Sequence, residues 1–271
     1  MTTTKHLLTV ALLLIGSMGT MAQGERTITN ARMVSIGQAR VLDTYLSALH
    51  YSGPEVCYLS HTLRERPDSS LWVREIVHQG NFALLDNHSG LGGEMAGSYN
   101  FQYGWHRRVA QIAFRGSKLR IDAGGNINAL VGFVYNTRNS NNPAQARASV
   151  SLAPTAAATY TFFPRRPMAL RYEVSIPLVG LMFSPNYGQS YYEIFTKGNY
   201  DHNLVPTWAG NAPSLRQMLT LDYRIGRTAV RIGYLGDYRQ ASVNHLKSHY
   251  YSHGLVVGIV RKFSIKKIQH P

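Results

Sequence analysis

The stretch LRIDAGGNINALVGFVYN, residues 119–136, alternates between two kinds of side chain along its whole length. The odd positions are apolar or small and run from Leu119 through Ile127 to Tyr135. The even positions are mostly polar or small, as at Arg120 and Asn128. A period of two over so many residues predicts a β-strand whose two faces meet different environments.

The same alternation recurs along the chain. It is found in segments 94–106, 168–182, 215–225, 228–239 and 255–263. Between such segments lie breaks rich in Gly, Pro, Asn and Ser, which favour turns. The predicted breaks are 52–54, 66–69, 86–93, 115–118, 136–146, 164–167, 184–213, 226–228 and 240–248. They divide the chain into about ten strands, with loops that alternate between short and long from 66–69 onward.

These features predict an all-β fold, an antiparallel up-and-down transmembrane β-barrel of about ten strands (8–12). Bacterial outer-membrane barrels have an even strand number, short periplasmic turns and longer outside loops, with both termini in the periplasm. A soluble β-sandwich is the alternative, but its strands are usually shorter than the runs seen here. Pro154 and Pro177 fall within predicted strands, where proline removes a hydrogen bond of the ladder. We therefore expect bulges at these two positions.

The first residues predict export. Lys5 precedes an apolar run from Leu7 to Ile15, and Thr20-Met21-Ala22 supplies the small residues of a cleavage site. We therefore expect residues 1–22 to be a signal peptide and residues 23–271 to form a single barrel domain; a buried N-terminal helix is the alternative. No other apolar run has the length of a transmembrane helix, which argues against a helical membrane protein.

Charge and cysteine content narrow the partners. The formal net charge is +14, and Cys57 is the single cysteine, so no intrachain disulfide can form. Such a basic chain suggests nucleic acid, but the predicted export and the scattered arginines favour outer-membrane lipid headgroups and lipopolysaccharide phosphates instead. We expect no nucleic-acid partner and no cofactor.

The polar positions of the alternating segments define a predicted polar network in the barrel lumen. Its members are Arg120, Asp122, Asn126, Asn128, Arg171, Glu173, Arg216, Asp222, Arg224, Arg231, Asp237 and Arg239. Ten strands enclose a narrow interior, which side chains of this size would largely fill. Charges of both signs favour ion pairs that plug the barrel, with a narrow polar pore or a ligand cavity as the alternatives.

Evidence for catalysis is sparse. Outer-membrane lipid hydrolases place His and Ser two apart on one strand, and His50 and Ser52 have this spacing. A strand end entering a turn explains the same residues, and no acid partner can be assigned. His249 and His253 share a strand face but lie about 13 Å apart at about 3.3 Å per residue, so we expect no metal site.

The long predicted loop is rich in tyrosine. Tyr187, Tyr191, Tyr192 and Tyr200 fall within it, and such loops suit recognition of sugar or protein. The composition does not define the loop ligand.

Several long stretches resemble an uncharacterised Bacteroidota outer-membrane β-barrel family, a domain of unknown function. They are GFVYNTRNSNNPAQA (132–146), LRYEVSIPLVGLMFSPNYGQSYYEIFTKGNYD (170–201), PSLRQMLTLDYRIG (213–226) and LKSHYYSHG (246–254). The resemblance implies an outer-membrane location and carries no activity. Residues 258–263 also resemble the terminal strand that barrel-assembly machinery recognises, although Arg261 departs from its apolar pattern.

The expected function is therefore a structural or surface-binding role in the outer membrane of a Gram-negative bacterium, and an enzyme is not the first expectation. An outer-membrane lipid hydrolase of the phospholipase or deacylase kind is one alternative. A narrow pore for small solutes is the other.

Overall fold

A computed structural model describes residues 26–65, 71–139, 142–162, 168–226 and 228–265. The predicted signal peptide lies outside the described residues. The elements are β1 (Arg26–Asp43), β2 (Ser47–Glu65), β3 (Trp72–Asn87), β4 (Gly93–Phe114), β5 (Ser117–Asn136), β6 (Ala144–Thr161), β7 (Met168–Ser175), β8 (Val179–Phe183), α1 (Tyr191–Phe195), β9 (Leu204–Trp208), β10 (Ser214–Ile225), β11 (Thr228–Val243) and β12 (Leu246–Ile265).

The strands close into one antiparallel barrel. Each strand from β1 to β6 pairs with the next, β7 pairs with β10, and β10, β11 and β12 follow in order. The ring closes because β12 pairs with β1 along almost the whole of both strands. Strands β8 and β9 pair with each other and extend the positions of β7 and β10. The ring therefore has ten strands, so the predicted fold class is confirmed and the β-sandwich alternative is wrong.

The barrel has two distinct ends. The near end carries the first and last described residues, Arg26 and Ile265, and the tight turn at Arg115–Gly116. The far end carries the turns at 44–46, 88–92 and 244–245, the described residues between β5 and β6 (137–139, 142 and 143), and residues 184–203, which we call the far-end segment. The longest connection therefore lies at the far end.

The alternation that opened the sequence analysis becomes an alternation of burial. On β5, Asp122, Asn126 and Asn128 are buried inside the barrel, whereas Ile127 and Val131 between and beyond them are exposed outside. The same inversion holds on β12, where Leu255, Val257 and Ile259 are exposed. A barrel with apolar residues outside and polar residues inside is inverted relative to a water-soluble protein.

Apolar side chains also occupy part of the interior. One cluster surrounds Val41, Leu46 and Tyr51 toward the far end. A second surrounds Met33 and Leu59 on the wall formed by β10, β11, β12, β1 and β2. These clusters and the polar groups between them fill much of the barrel, as expected for a ring of ten strands.

Two predicted breaks are not breaks in the structure. Residues 52–54 lie within β2, and the hairpin turns instead at 44–46. Glycine at position 53 permits close strand contact, since a Cβ there would overlap the Leu84 carbonyl oxygen, and Pro54 lies where the pairing of β2 with β3 is interrupted. The predicted loop 240–248 is also mostly strand, with a two-residue turn at Asn244 and His245.

Pro154 and Pro177 lie where the pairing partner of β6 changes from β8 to β7. Strand β6 pairs with β8 up to Leu152 and with β7 from Thr155 onward, so Pro154 lies where the partner changes. Pro177 lies in the gap between β7 and β8. Both prolines, which lack an N–H, thus occupy a place where the ladder is already broken.

The far-end segment contains the helix α1, which begins with a capping box. The Ser190 side chain accepts a hydrogen bond from the Glu193 N–H, and the Glu193 carboxylate accepts from the Ser190 N–H. Among the described residues, no helix is both long and apolar enough to cross a membrane.

Candidate functional site

Charged side chains from opposite walls meet inside the barrel. We call the group His61, Glu75, His106, Arg171, Glu173 and Arg216 the interior ion cluster. Its members come from β2, β3, β4, β7 and β10, because all of them occupy inward positions at a similar height. Every member is at most 6% exposed. The cluster therefore spans the lumen rather than lining one side of it.

Glu173 is the centre of the cluster. Its Oε2 accepts from Arg171 Nη2 at 2.8 Å, and its Oε1 accepts from Arg216 Nη1 at 3.2 Å. Glu75 bonds two histidines, with its Oε1 2.6 Å from His61 Nε2 and its Oε2 3.0 Å from His106 Nε2. Each carboxylate is thus held by two nitrogen donors from different strands, as buried charges require.

Part of this cluster has the donor atoms of a metal site. One ligand atom each from His61, Glu75 and Glu173 lie within 4.8 Å of one another. However, Arg171 and Arg216 already bond Glu173. The two arginines supply the positive charge that a divalent cation would bring.

The other members of the predicted lumen network form shorter links. Arg231 binds the Asp222 carboxylate through two hydrogen bonds of 2.6 and 2.8 Å. Arg120 bridges Asp122 and Glu65. Asn126 Nδ2 lies 3.5 Å from both Gln102 Oε1 and Ser175 Oγ.

The remaining predicted lumen residues differ in place. Asp237 accepts from Gln79 Nε2 at 2.9 Å and lies 3.4 Å from Arg239 Nε. Asn128 on β5 is also buried, and it lines the same cavity as Asp237 and Arg239. Arg224 instead lies exposed at the near end, where its Nε donates to the Gly226 carbonyl oxygen.

Toward the far end, a second group of polar side chains surrounds Glu55. Its carboxylate accepts hydrogen bonds from Asn81 on β3 and from Tyr250 and Ser252 on β12. Above this group Arg147 Nη2 donates to Asp43 at 3.0 Å. Polar pairing thus continues up to the far end.

A cavity of about 130 Å³ lies between the interior ion cluster and the far end; we call it the far chamber. Strands β4, β5, β6, β10 and β11 contribute to its lining. Asn100, Asn128, Arg216 and Arg239 line it, and each has a buried nitrogen or oxygen without a hydrogen-bond partner among the described residues. The lumen is therefore largely filled but not completely.

The four predicted loop tyrosines do not share one environment. Tyr187, Tyr192 and Tyr200 are 73%, 60% and 61% exposed, and Lys197 lies over the Tyr192 ring. Tyr191 turns inward instead, where its hydroxyl accepts from the Ala146 N–H and donates to Gln145 Oε1, both at 2.7 Å. Burial raises the pKa of the Tyr191 phenol. Tyr191 thus anchors α1 to β6, while the other three tyrosines form an exposed surface.

His50 and Ser52 lie side by side on the outer face of β2 and are both exposed. Within the described part of the chain no hydrogen bond joins them, and the His50 ring stacks on His249 at 5.9 Å instead. A nucleophile and its base must be within hydrogen-bond reach, so this geometry lacks the arrangement that hydrolysis needs.

The histidines of the last strand belong to an outward-facing aromatic patch. His253 Nδ1 lies 2.5 Å from the Tyr234 hydroxyl and 3.1 Å from that of Tyr238. Tyr251 packs against Tyr238 and His249. The patch lies on the far-end side of the exposed apolar residues, where an amphipathic ring has both apolar and polar surroundings.

Sequence reasoning missed much of the interior ion cluster. Its members His61, Glu75 and His106, and also Gln79, which bonds Arg216, were not predicted as lumen residues, although segment 94–106 already placed His106 on the polar face. Parity gave no comparable signal on β2 and β3, because apolar residues such as Leu59 and Val77 share the inward face with His61 and Glu75. The missed residues are the ones that connect the predicted arginines and carboxylates across the barrel.

Fold and site together define a closed antiparallel β-barrel with an apolar exterior, a mostly paired polar interior and an elaborated far end. A family model described as "Protein of unknown function (DUF3316)" matches residues 6–270, and the chain belongs to this family. The predicted resemblance to a family with a domain of unknown function is confirmed to that extent. The Bacteroidota origin stays a prediction.

Solved structures similar to this chain include two from Escherichia coli. The outer membrane protease OmpT from Escherichia coli is 8% identical, with a TM-score of 0.48, covering 91% of this chain and 100% of that chain. The transport unit of the autotransporter AIDA-I from Escherichia coli is 6% identical, with a TM-score of 0.45 and 94% of each chain covered. These values describe a loose likeness of shape and carry nothing about activity or ligand. No curated protein matches the sequence significantly.

Proposed function

We propose that the protein is an outer-membrane β-barrel of a Gram-negative bacterium with a structural or surface-binding role. In this proposal the signal peptide directs export, both termini are periplasmic, and the far end faces outward. The observation that carries it is the inverted barrel, with large apolar side chains outside and charged ones inside.

The exposed apolar side chains form a band around the barrel. On β1, Val34 and Ile36 are exposed, and the outward side then changes to Gln38 and Arg40 toward the far end. On β12 the outward residues likewise change from Leu255 to His253 and His249 toward the far end. A belt of this kind is costly in water and favourable in hydrocarbon. The closed ring of ten strands pairs the backbone polar groups along the belt, and β9, which pairs on one side, lies toward the far end.

The near end supplies partners for lipid headgroups. Seven of the basic residues that the structure describes are exposed there: Arg64, Arg107, Arg115, Lys118, Arg224, Arg261 and Lys262. Trp72, Phe114 and Phe263 are also exposed at this end. Basic and aromatic side chains at the edge of an apolar belt suit anionic headgroups and the membrane interface. Lipid, lipopolysaccharide and, during insertion, the barrel-assembly machinery are the proposed partners.

The far-end segment is the proposed contact surface. Exposed Tyr187, Tyr192 and Tyr200 lie on a short scaffold held by the capping box and by the Tyr191 anchor. Rigid aromatic side chains on a positioned loop favour recognition of a sugar or protein surface.

Paired charges across the lumen favour this role over a pore. Glu173 and Glu75 link strands from both walls, and the apolar clusters occupy further volume. We therefore expect purified protein in planar bilayers to show no steady ion conductance; sustained channel steps would instead support the pore. No contact favours the lipid hydrolase, and lipase activity lost in Ser52→Ala would be needed to revive it.

The decisive experiment is fractionation combined with gel mobility. The full chain, expressed with residues 1–22, should appear in the outer-membrane fraction and migrate differently before and after boiling. Recovery as a soluble periplasmic protein without a mobility shift would contradict the proposed membrane location.

A further inference from the structure

Outward-facing charge is one-sided on part of the barrel wall. Strands β11, β12, β1 and β2 are neighbours in the ring, and none of their described outward positions is acidic. Toward the far end these strands present Arg40 on β1, His50 on β2, and Lys247 and His249 on β12, which we call the far-end basic patch. This sector therefore attracts negative charge from outside the barrel.

Strand register brings the members of the far-end basic patch together. Arg40 lies opposite Tyr251 on β12 and opposite Ser52 on β2. His249 and His50 each lie two residues from one of these partners on the same face, and their rings stack at 5.9 Å across β1. Diagonal neighbours of this kind are about 7–8 Å apart, within reach of a long side chain. The Arg40 guanidinium can thus share one bound group with either histidine.

The two permanent charges of the patch have no counter-charge on the protein. Arg40 and Lys247 are exposed, and neither forms an ion pair with any described residue. The acidic residue nearest by strand register is Asp86 on β3, opposite Ser52 and thus one strand beyond the patch. An unpaired guanidinium and an unpaired ammonium beside ring nitrogens favour a phosphate group.

The aromatic patch of β11 and β12 is ordered and continuous with the basic one. Gly236 on β11 has no side chain, and Tyr238 occupies the space in front of it, where a Cβ would lie 3.0 Å from the ring. The Tyr238 hydroxyl lies 3.1 Å from His253 Nδ1. Tyr251 is opposite both Tyr238 and Arg40, so it joins the two patches. Rigid amphipathic rings of this kind provide a surface on which a sugar can pack.

The apolar belt begins immediately on the near-end side of these patches. Ile36 on β1 is opposite Leu255 on β12 and Val56 on β2, and the three side chains are 67%, 72% and 54% exposed. A molecule that covers the whole wall must therefore have hydrocarbon chains, and beside them a polar part with negative charge.

The opposite wall lacks this arrangement. The described outward positions of β5, β6, β8 and β9 include no charged residue. General contact with anionic headgroups would favour basic residues all around the barrel. Their concentration on one wall instead indicates a localised site.

We propose that the wall of β11, β12, β1 and β2 binds a phosphorylated glycolipid of the outer leaflet. Its acyl chains cover the belt at Ile36 and Leu255, and its sugar packs on Tyr251. Its phosphate contacts Arg40 and Lys247. The site rests on the proposed function, because only a barrel whose far end faces outward meets that leaflet here.

Native mass spectrometry of the purified barrel in detergent tests the proposal, with bisphosphorylated lipid A, dephosphorylated lipid A and phosphatidylglycerol as probes. Wild type should retain bisphosphorylated lipid A at a single site. Dephosphorylated lipid A should bind about tenfold more weakly, because the charged acceptor is gone.

The matched variants each remove two positive charges. Arg40→Gln combined with Lys247→Gln should weaken binding of bisphosphorylated lipid A about tenfold, because charge-assisted hydrogen bonds to phosphate are lost. Arg32→Gln combined with Arg138→Gln should leave it unchanged, since Arg32 lies on β1 toward the near end and Arg138 follows β5 on the other wall. The boiled and unboiled mobility of each variant shows whether it folds, and Arg40→Gln alone replaces the double variant if that does not.

Equal binding by wild type and the patch variant, or equal losses in both double variants, would overturn the site. Equal binding of phosphatidylglycerol or of dephosphorylated lipid A would overturn the phosphorylated glycolipid as its occupant. A barrel that fractionates with the outer membrane and shifts on boiling, yet retains no lipid A, would overturn the site and leave the proposed function standing. Recovery as a soluble protein would overturn both.

Discussion

Glu173 is the residue on which the interior charges converge. Arg171 and Arg216 both bond its carboxylate, and the side chain is 2% exposed. The attraction between such charges is strong in a medium of low dielectric constant, but so is the cost of removing them from water. The net stabilisation by these ion pairs is therefore small, whereas removing one partner leaves buried charges unpaired and lowers the stability strongly.

Replacing Glu173 with Gln should lower the free energy of unfolding by about 3–5 kcal/mol, because two arginines would lose their shared buried counter-charge. Glu65→Gln offers a matched comparison, since Glu65 pairs with Arg120 at a site where its side chain is 25% exposed. That change should cost less than about 1 kcal/mol. Urea unfolding in lipid vesicles measures both values; equal costs would show that the cluster is not an interdependent network.

For single residues, the sequence predicts which side chains face the lumen better than it predicts which side chains contact each other. Parity alone placed Arg171, Glu173 and Arg216 on the polar face. Their partners depend on how the ring closes, since Glu75 and Glu173 come from strands on different parts of the wall. No local pattern contains that information.

Turns are the elements that sequence reasoning placed least well. Gly53 and Pro54 predicted a turn because both are common there, yet close strand contact explains the glycine and an interrupted ladder tolerates the proline. Conversely, the true turn at Asn244 and His245 was hidden within a longer predicted loop. Its two central residues have φ of 52° and 60°, the arrangement of a tight two-residue hairpin.

His245 adopts this backbone conformation at a cost, because a Cβ disfavours positive φ by about 1–2 kcal/mol. The side chain is exposed. His245→Gly should therefore raise the free energy of unfolding by about 1 kcal/mol, since glycine accepts positive φ readily but loses more entropy on folding. His245→Ala retains the Cβ and should give no such gain; an equal gain from alanine would mean that the imidazole, not the backbone, is responsible.

The helix α1 depends on its first turn because it is only five residues long. Ser190→Ala removes the side chain that accepts from the Glu193 N–H at 3.3 Å. A lost cap of this kind costs about 1 kcal/mol, so amide hydrogen exchange across residues 191–196 should quicken about fivefold. Ser190→Thr keeps the acceptor and should stay close to wild type. Unchanged exchange in the alanine variant would show that the Tyr191 anchor alone orders the helix.

The cap should also respond to pH. Hydrogen bonds from the Ser190 N–H and hydroxyl hold the pKa of Glu193 below its ordinary value. The charged carboxylate thus contributes above that ordinary value, about 4.3, and its contribution is lost as the pH falls through the lowered pKa. Exchange across α1, corrected for its intrinsic pH dependence, should rise from about pH 5 to about pH 3 in wild type and stay flat in Glu193→Gln. A parallel rise in both would assign the effect to another group.

For the whole molecule, the alternation of residues 119–136 and its repeats, together with the breaks between them and the loop lengths, predicted a closed barrel of about ten strands (8–12). The reason is physical, since every strand of a narrow barrel must separate the same two environments. The far-end segment lacks this two-residue alternation. Its helix α1 and the short strands β8 and β9 that flank it were therefore not predicted from the sequence.

The exposed apolar belt allows a direct test of whether the outer face of the barrel lies in lipid or in water. Val257 on β12 is 60% exposed and lies between Val34 and Ile232 on the neighbouring strands, both also exposed. In a bilayer Val257→Arg should cost about 2–4 kcal/mol, because a charge at mid-depth loses its hydration. Gln38→Arg, on the outer face beyond the belt, should cost about 0–1 kcal/mol. Unfolding from lipid vesicles gives both values. If the outer face of Val257 met water, the two arginine variants would be equally stable, so a difference of about 2 kcal/mol or more between them is what an embedded barrel requires.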